Sequence, residues 1–437
     1  MNISDYKKAH FVGIGGAGMS AMAKYLRHQG LHVSGSDRSA SGITKDLEDN
    51  YEITFWEGSN PENIDNDIDL LVYSPAVPKS DPEFQKACNL GVSTRSYPEL
   101  LGVISRNKKT IAISGTNGKT TTTSMLIEVM KDLGQDPTGI VGAVLQKYNS
   151  NFVSGQSDYF ITEACEYKES FLNIHYDILI ITNITEDHLD YFNDLEHIQN
   201  TFVRFLENKK NSGILVCNTQ SNHLQPIMTA AKTAGIKIID YSVYIRDIEL
   251  SIPGEHNKQN AAAALGVIKA LGLSVSSAQE YLKKYFQGSK RRMEHVGITD
   301  SGIQIIDDYA HNPEGLSYLI SGLRDFYQDK KIIMMFEPHL YSRTREFKDE
   351  FARALEHVDV LYLFPTYRAR EQEIPQENFL LDQYINHDKV QVINVTDKTH
   401  FVQEFKSKNY STGHIIVSAG AGDVWKYSHA LKKTIIK

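Results

Sequence analysis

The run Ser114-Gly115-Thr116-Asn117-Gly118-Lys119-Thr120-Thr121 constrains this chain more than any other feature. It lies between an apolar strand beginning at Thr110 and a helical stretch from Thr120 to Leu133. A glycine-rich turn between a strand and a helix lets backbone N–H groups and the helix N-terminus cradle an anion. Lys119 adds a mobile positive charge for the β- and γ-phosphates, and the Thr120 hydroxyl is a hard oxygen ligand suited to Mg²⁺. The general phosphate-loop pattern places a glycine where Ile113 stands, so this is the shorter GxxGKT form. A loop of this kind needs a buried strand and a packed helix, and therefore an α/β fold.

The rest of the chain alternates in the same way. At roughly 150 residues per domain, 437 residues suggest about three domains. The first, residues 1–106, opens with a strand over His10–Ile14, a helix over Met19–Gln29 and a second strand over His32–Gly35. A buried strand follows Asp69. This domain should be Rossmann-like. The second, residues 107–288, carries the phosphate loop, strands beginning at Tyr159 and Ile178, and a helix over Asn257–Leu271. The strand from Ile178 is apolar on both faces, as a central parallel strand should be. It should be a P-loop ATPase-type parallel sheet. The third, residues 289–437, has strands beginning at Gly302, Lys331, Asp359 and His414 and again should be Rossmann-like.

Composition narrows the function. The 46 basic and 54 acidic side chains give a formal charge of −8, which offers nothing to nucleic acid. No run approaches the ~18 apolar residues that cross a bilayer, and the N-terminus does not read as a signal peptide. Three scattered cysteines read as reduced thiols in a cytoplasm, without a disulfide frame or a zinc site.

Further constellations sit at the predicted strand ends, where α/β sheets place ligands. Thr162-Glu163-Ala164-Cys165-Glu166 follows one strand. Thr182 through Asp190, with His188, follows the next. Glu163 is the natural Mg²⁺ ligand of these; read bare, the acidic cluster is equally a solvated loop. Asn257 and Asn260 lie three apart on one helix face, and taken alone the segment reads as an Asn N-cap. Lys290-Arg291-Arg292-Met293-Glu294, taken alone, is an exposed basic linker. Near the N-terminus, Gly13-Ile14-Gly15-Gly16-Ala17-Gly18 satisfies GxGxxG, with Asp37 at the spacing of a ribose-binding acid. That fingerprint suits any dinucleotide-like pyrophosphate and leaves an NAD(P)-linked oxidoreductase open.

Taken together, these motifs resemble the Mur ligase family, in order and over essentially the whole chain. GTNGKTTTT resembles the ATP loop that this family shares with folylpolyglutamate synthetases. The resemblance implies an ATP-dependent amide ligase: a carboxylate is phosphorylated, and an amine displaces phosphate from the acyl phosphate. It implies ATP contacts from Gly115, Thr116, Asn117, Gly118, Lys119, Thr120, Thr121, Asn257, Asn260, Arg292 and Asp308. It implies Mg²⁺ on Thr120, Glu163 and His188, and puts Lys119, Glu163, His188, Arg292 and His311 in the catalytic cleft. Arg292 matches the family's arginine best, with Arg291 the second choice. The N-terminal turn, with Gly15, Gly16, Ala17, Gly18, Asp37, Ser74, Pro75 and Ala76, would hold a UDP-sugar.

Two further stretches, Phe336 to Arg345 and Tyr367 to Glu371, resemble the alanine-adding branch. That implies UDP-N-acetylmuramate and L-alanine as substrates, with His339, Arg343 and Arg370 on the amino acid's carboxylate. A murein peptide ligase is the neighbouring alternative. Three positions depart from the branch pattern: Asn117 replaces a histidine, Asn312 replaces another, and the stretch from Asn218 to Pro253 is short. The expected partners are small molecules only, with no nucleic acid and no membrane, in a monomer or weak dimer.

Overall fold

The computed structural model describes residues 3–188, 191–250, 252, 254–369, 371–408 and 410–432. It contains three sheets, each dominated by parallel pairing.

The first sheet has β1 (Lys8–Val12), β2 (His32–Asp37), β3 (Thr54–Glu57), β4 (Leu70–Tyr73) and β5 (Ser93–Ser96), in the order β3-β2-β1-β4-β5. All pairings are parallel. The order reverses between β1 and β4, so this is a Rossmann-like sheet with a switch point beside β1. The strand expected over His10–Ile14 instead ends at Val12, because Gly13 turns the chain with φ of +84°.

The second sheet has β6 (Lys109–Ser114), β7 (Thr138–Leu145), β8 (Ser150–Val153), β9 (Tyr159–Glu163), β10 (Tyr176–Ile181), β11 (Lys209–Cys217) and β12 (Lys237–Asp240). Their order is β12-β11-β10-β6-β9-β7-β8, and only β8 runs antiparallel to its neighbour. β6 and β10 sit in the middle and are buried along nearly their whole length. The short stretch after Asn218 still supplies a helix, Gln225–Thr233, and the edge strand β12.

The third sheet has β13 (Glu294–Ile298), β14 (Gln304–Asp308), β15 (Lys331–Phe336), β16 (Val360–Leu363), β17 (Gln391–Asn394) and β18 (His414–Ala419), in the order β13-β14-β18-β15-β16-β17. β13 alone is antiparallel. Separate apolar clusters cover its two faces, one around Leu316, Leu323 and Phe351 and the other around Phe364, Phe401 and Phe405.

The chain divides into two compact units: Met1–Ser251 with Lys258–Gln287, and Ile252–Asn257 with Gly288–Lys437. In the first unit one apolar core joins both sheets. The helix Ala17–His28 is buried from Met19 through Leu26 because the β7–β8 hairpin packs on it, with Tyr25 6.1 Å from the Phe152 ring. Lys24 is buried there too. It reaches Asp46 at 2.7 Å and the Asn151 amide oxygen at 3.0 Å, which makes its burial tolerable.

Candidate active site

β6 lies between β9 and β10, and all three are parallel, so the turns after them open on one edge of the sheet. Those turns carry Gly115–Gly118, the stretch after Glu163, and Thr182–His188. The third braces the first from behind. The Thr182 hydroxyl donates to the Asn117 carbonyl at 2.6 Å, and the Asn183 amide donates to the same oxygen at 3.1 Å. The Asn117 N–H donates to Asn183 Oδ1 at 2.9 Å, and the Thr116 N–H to the Asn183 carbonyl at 3.1 Å. The Thr116 hydroxyl donates to the Thr185 carbonyl at 3.1 Å and accepts from its N–H at 2.9 Å.

This brace explains the glycines. Gly115 has φ of +124°, and a Cβ there would meet the Thr182 hydroxyl and lie 2.7 Å from the Asn183 carbonyl. Gly118, at φ +85°, is the N-cap of the helix Lys119–Asp132, and a Cβ there would fall on the Asn260 amide oxygen. Asn260 is therefore seated against the phosphate loop. Asn257 and Asn260 are both buried within the helix Glu255–Ala270, at its third and sixth positions. The N-cap reading of that segment is overturned: the helix begins two residues before Asn257. Pro253 lies outside the described residues.

The Thr120 hydroxyl donates to Glu163 Oε2 at 3.1 Å, and the Gly142 N–H donates to Glu163 Oε1 at 2.6 Å. A hydroxyl and a carboxylate this close, at the mouth of a phosphate loop, form a hard-oxygen pair that fits Mg²⁺. His188 takes a left-handed φ of +55°, places its ring 4.6 Å from that of Tyr167, and sets Nε2 4.0 Å from Glu166 Oε1. Among the described residues no group of three His, Cys, Asp or Glu side chains is set for a metal ion. A Mg²⁺ site here would draw its remaining ligands from phosphate and water. Leu189 and Asp190 lie outside the described residues.

Lys119 folds back onto its own loop. Nζ donates to the Gly115 carbonyl at 2.5 Å and the Thr116 carbonyl at 3.0 Å, and lies 3.0 Å from both oxygens of Glu166. Burial alone would lower its pKa; Glu166 and the neighbouring Cys165 and Glu163 outweigh it, so the ammonium titrates above its ordinary range. Sequence reasoning overlooked Glu166. The available signal was a second acid three residues after Glu163.

At the first sheet's switch point, the glycine turn follows β1 and Ser74 follows β4. The Gly15 N–H donates to Asp37 Oδ2 at 2.8 Å, and the Arg38 N–H to Oδ1 at 2.7 Å. Asp37 thus ties the glycine turn to the end of β2 through Oδ2. Gly16 caps the helix Ala17–His28, and Gly18 lies under the Tyr97 ring. The Ala17 carbonyl accepts from Asn151 Nδ2 at 2.7 Å. Ser74 accepts from the Ala76 N–H at 3.3 Å, while Pro75 and Ala76 are exposed.

In the second unit, Asp308 ends β14 and holds two backbone N–H groups, those of Met293 and Ala310, each at 2.7 Å. It ties the basic segment to the turn containing His311. The two arginines separate. Arg291 lies 3.2 Å from the fully buried Asp307 and donates to the Gly420 carbonyl. Burial pushes Asp307 up to about 7, against the pull of Arg291 and Ser418. Arg292 places its guanidinium 5.0 Å over the Tyr309 ring and enters no ion pair among the described residues. The basic segment is thus a packed turn, and the linker reading is overturned. His311 Nδ1 donates to the Tyr309 carbonyl at 2.9 Å, and its ring meets His339 edge-on at 5.8 Å. His339 stacks on Tyr367 at 5.6 Å, and Arg343 is half-buried on the short helix Tyr341–Glu346. The structure thus brings His311 and His339 together. Arg370 lies outside the described residues. Its neighbour Glu371 accepts from the Tyr341 N–H at 2.5 Å. Asn312 caps the helix Pro313–Phe326 by accepting from the Gly315 N–H at 2.7 Å, which accounts for asparagine there.

Three sheets of this topology, with a braced GKT loop beside a hydroxyl–carboxylate pair, define a nucleotide-binding α/β protein. The chain belongs to the Mur ligase family. Residues 8–109 match the Mur ligase family catalytic domain, 113–247 the Mur ligase middle domain, and 291–422 the Mur ligase glutamate ligase domain. It is 37% identical to a UDP-N-acetylmuramate–L-alanine ligase of Clostridium acetobutylicum over 96% of both chains. It is 38% identical to that of Clostridium kluyveri, again over 96% of each. Its fold is that of the UDP-N-acetylmuramate-alanine ligase of Thermotoga maritima, with TM-score 0.79, 24% identity, and 97% and 98% of the two chains covered. The murein peptide ligase of Psychrobacter arcticus shares the fold at TM-score 0.69 and 21% identity, covering 98% and 100%. The N-terminal fingerprint thus falls inside a Mur ligase domain, and the nicotinamide-linked alternative is set aside.

Proposed function

We propose that this enzyme joins L-alanine to UDP-N-acetylmuramate at the expense of ATP. The observation that carries the reading is full-length likeness, at 37–38% identity, to ligases of that name, in a chain whose phosphate loop is braced and equipped with Lys119, Thr120 and Glu163.

In this reading the UDP pyrophosphate rests on Gly15–Gly18, with Asp37 and Ser74, Pro75 and Ala76 shaping the turn. ATP rests on Gly115–Thr121, with Asn257, Asn260, Arg292 and Asp308 as further nucleotide contacts. Thr120, Glu163 and His188 hold Mg²⁺, which when bound neutralises phosphate charge that would repel the attacking groups. A carboxylate oxygen of the muramate takes the γ-phosphoryl group, and the bond from that phosphorus to the β–γ bridging oxygen breaks to release ADP. The alanine nitrogen then attacks the acyl carbon. Phosphate leaves with the former carboxylate oxygen, and the amine proton passes to solvent. Lys119 stabilises charge on the transferring group. His311 lines the cleft, and His339, Arg343 and Arg370 hold the alanine carboxylate.

Three domains, at 1–106, 107–288 and 289–437, a cytoplasmic site of action and a monomer or weak dimer complete the proposal. No helix among the described residues is long and apolar enough to cross a membrane. ADP release is the test, measured with UDP-N-acetylmuramate against a panel of amino acids and the murein tripeptide. L-alanine should dominate; preference for the tripeptide would reassign the branch.

A further inference from the structure

Glu166 takes no part in the scheme above, yet it is the most tightly placed acid beside the phosphate loop. Its side chain is 4% exposed. Both of its oxygens lie 3.0 Å from Lys119 Nζ, and one lies 4.0 Å from His188 Nε2. An ammonium has three N–H donors. Here they face the Gly115 carbonyl, the Thr116 carbonyl and Glu166, so Nζ is fully engaged. A phosphate oxygen therefore gains this cation only as one partner yields. The two carbonyls cannot readily move, because Thr116 is fastened to Asn183 and Thr185, and Gly115 lies against Thr182 and Asn183. Glu166 is the partner on a side chain with rotatable bonds. An approach of about 1 Å would bring its oxygen into hydrogen-bond range of His188.

We infer that Glu166 is a positioning residue: it holds Lys119 as a resident counter-ion, yields it to the triphosphate, and then steadies His188. This rests on the proposed nucleotide site. Two consequences point in opposite directions. Removing the carboxylate removes a competitor for Lys119, so nucleotide binds more tightly. It also leaves His188 unsteadied, so turnover slows. A residue that merely supported the loop would weaken both.

The test is titration with a fluorescent, non-hydrolysable ATP analogue, together with steady-state kinetics. Glu166→Gln should tighten the analogue by about threefold to tenfold and lower kcat by about tenfold or more, with KM for ATP falling. Glu166→Asp should lie between it and the wild type on both measures. In a Lys119→Met background, Glu166→Gln should change analogue affinity by less than about twofold, since the competition has lost its object. Weaker binding by a Glu166→Gln protein that melts like the wild type overturns the inference, as does equal tightening without Lys119. Should Lys119→Met fail to fold, Glu166→Asp carries the test: affinity at or beyond the Glu166→Gln value refutes a charge-based competition. A wild-type protein that does not bind the analogue overturns the nucleotide site itself, which is a distinct result.

Discussion

Gly115→Ala probes the brace behind the phosphate loop. The residue sits at φ +124°, and the added Cβ would meet the Thr182 hydroxyl, the Asn183 carbonyl at 2.7 Å and the Asn183 nitrogen at 3.0 Å. Two of these are backbone atoms at the end of β10 and have little room to retreat. The backbone conformation alone costs about 1–3 kcal/mol for a side-chain-bearing residue, and overpacking a closed site costs a similar amount, so about 4 kcal/mol is expected in all. For a unit of this size each kcal/mol lowers the melting temperature by about 2 °C, which gives a fall of about 8 °C. Scanning calorimetry reads this directly. Gly134→Ala is the control: its φ is +74°, but nothing lies within 4 Å of the added atom. It should lose only about 1–2 kcal/mol, or roughly 2–4 °C. Nucleotide affinity should fall at least about tenfold in Gly115→Ala and stay unchanged in Gly134→Ala. If both variants melt alike and bind alike, crowding against β10 does not shape the loop.

Other perturbations test other parts. Arg291→Ala should destabilise the second unit by about 3 kcal/mol, because it strips the partner from buried Asp307, whereas Arg292→Ala should leave melting unchanged and abolish ligation. Equal effects on stability would merge the two roles. Asp308→Ala removes the acceptor of two backbone N–H groups and should cost about 2–4 kcal/mol by denaturant titration; a loss under 1 kcal/mol would contradict the tie between the Met293 and Ala310 backbones. Glu128 is fully buried on the helix after the phosphate loop, where burial raises its pKa from 4.5 to about 7 against the pull of Tyr281 and Lys147. Its folded-state pKa is the higher one, so the native state binds the extra proton. Stability should fall as pH rises from about 4.5 to 7 and then level off. Glu128→Gln should therefore match the wild type near pH 4.5 and exceed it by about 3 kcal/mol at pH 8. A difference independent of pH would refute that origin.

How much was legible in the sequence follows from where each signal resides. β6, β10, β15 and β18 are buried along nearly their whole length, and their apolar runs announce them. β3, β5 and β17 are four-residue strands at or next to sheet edges, half-exposed throughout, and no periodicity marks them. The phosphate loop is a local motif and was fully readable. Its brace from Thr182, Asn183 and Thr185 joins residues more than sixty positions apart. No local pattern encodes that pairing, nor the burial of the helix Ala17–His28 by the β7–β8 hairpin. Separation along the chain also hid Glu166, which meets Lys119 from 47 residues away. Asn257 and Asn260 misled because asparagine favours N-caps, and here the helix simply starts earlier. For Arg291 and Arg292, adjacent positions and identical chemistry gave no basis for separation. Only the buried carboxylate of Asp307 distinguishes them.

The central claim is that a carboxylate of the sugar nucleotide receives the terminal phosphoryl group of ATP and surrenders that oxygen when the amide forms. UDP-N-acetylmuramate labelled with ¹⁸O in its lactyl carboxylate tests this in one turnover with L-alanine. Mass spectrometry of the released phosphate should find one labelled oxygen per phosphate in the wild type, and no product from Lys119→Met. Phosphate free of label, accompanying amide formation, would contradict the account.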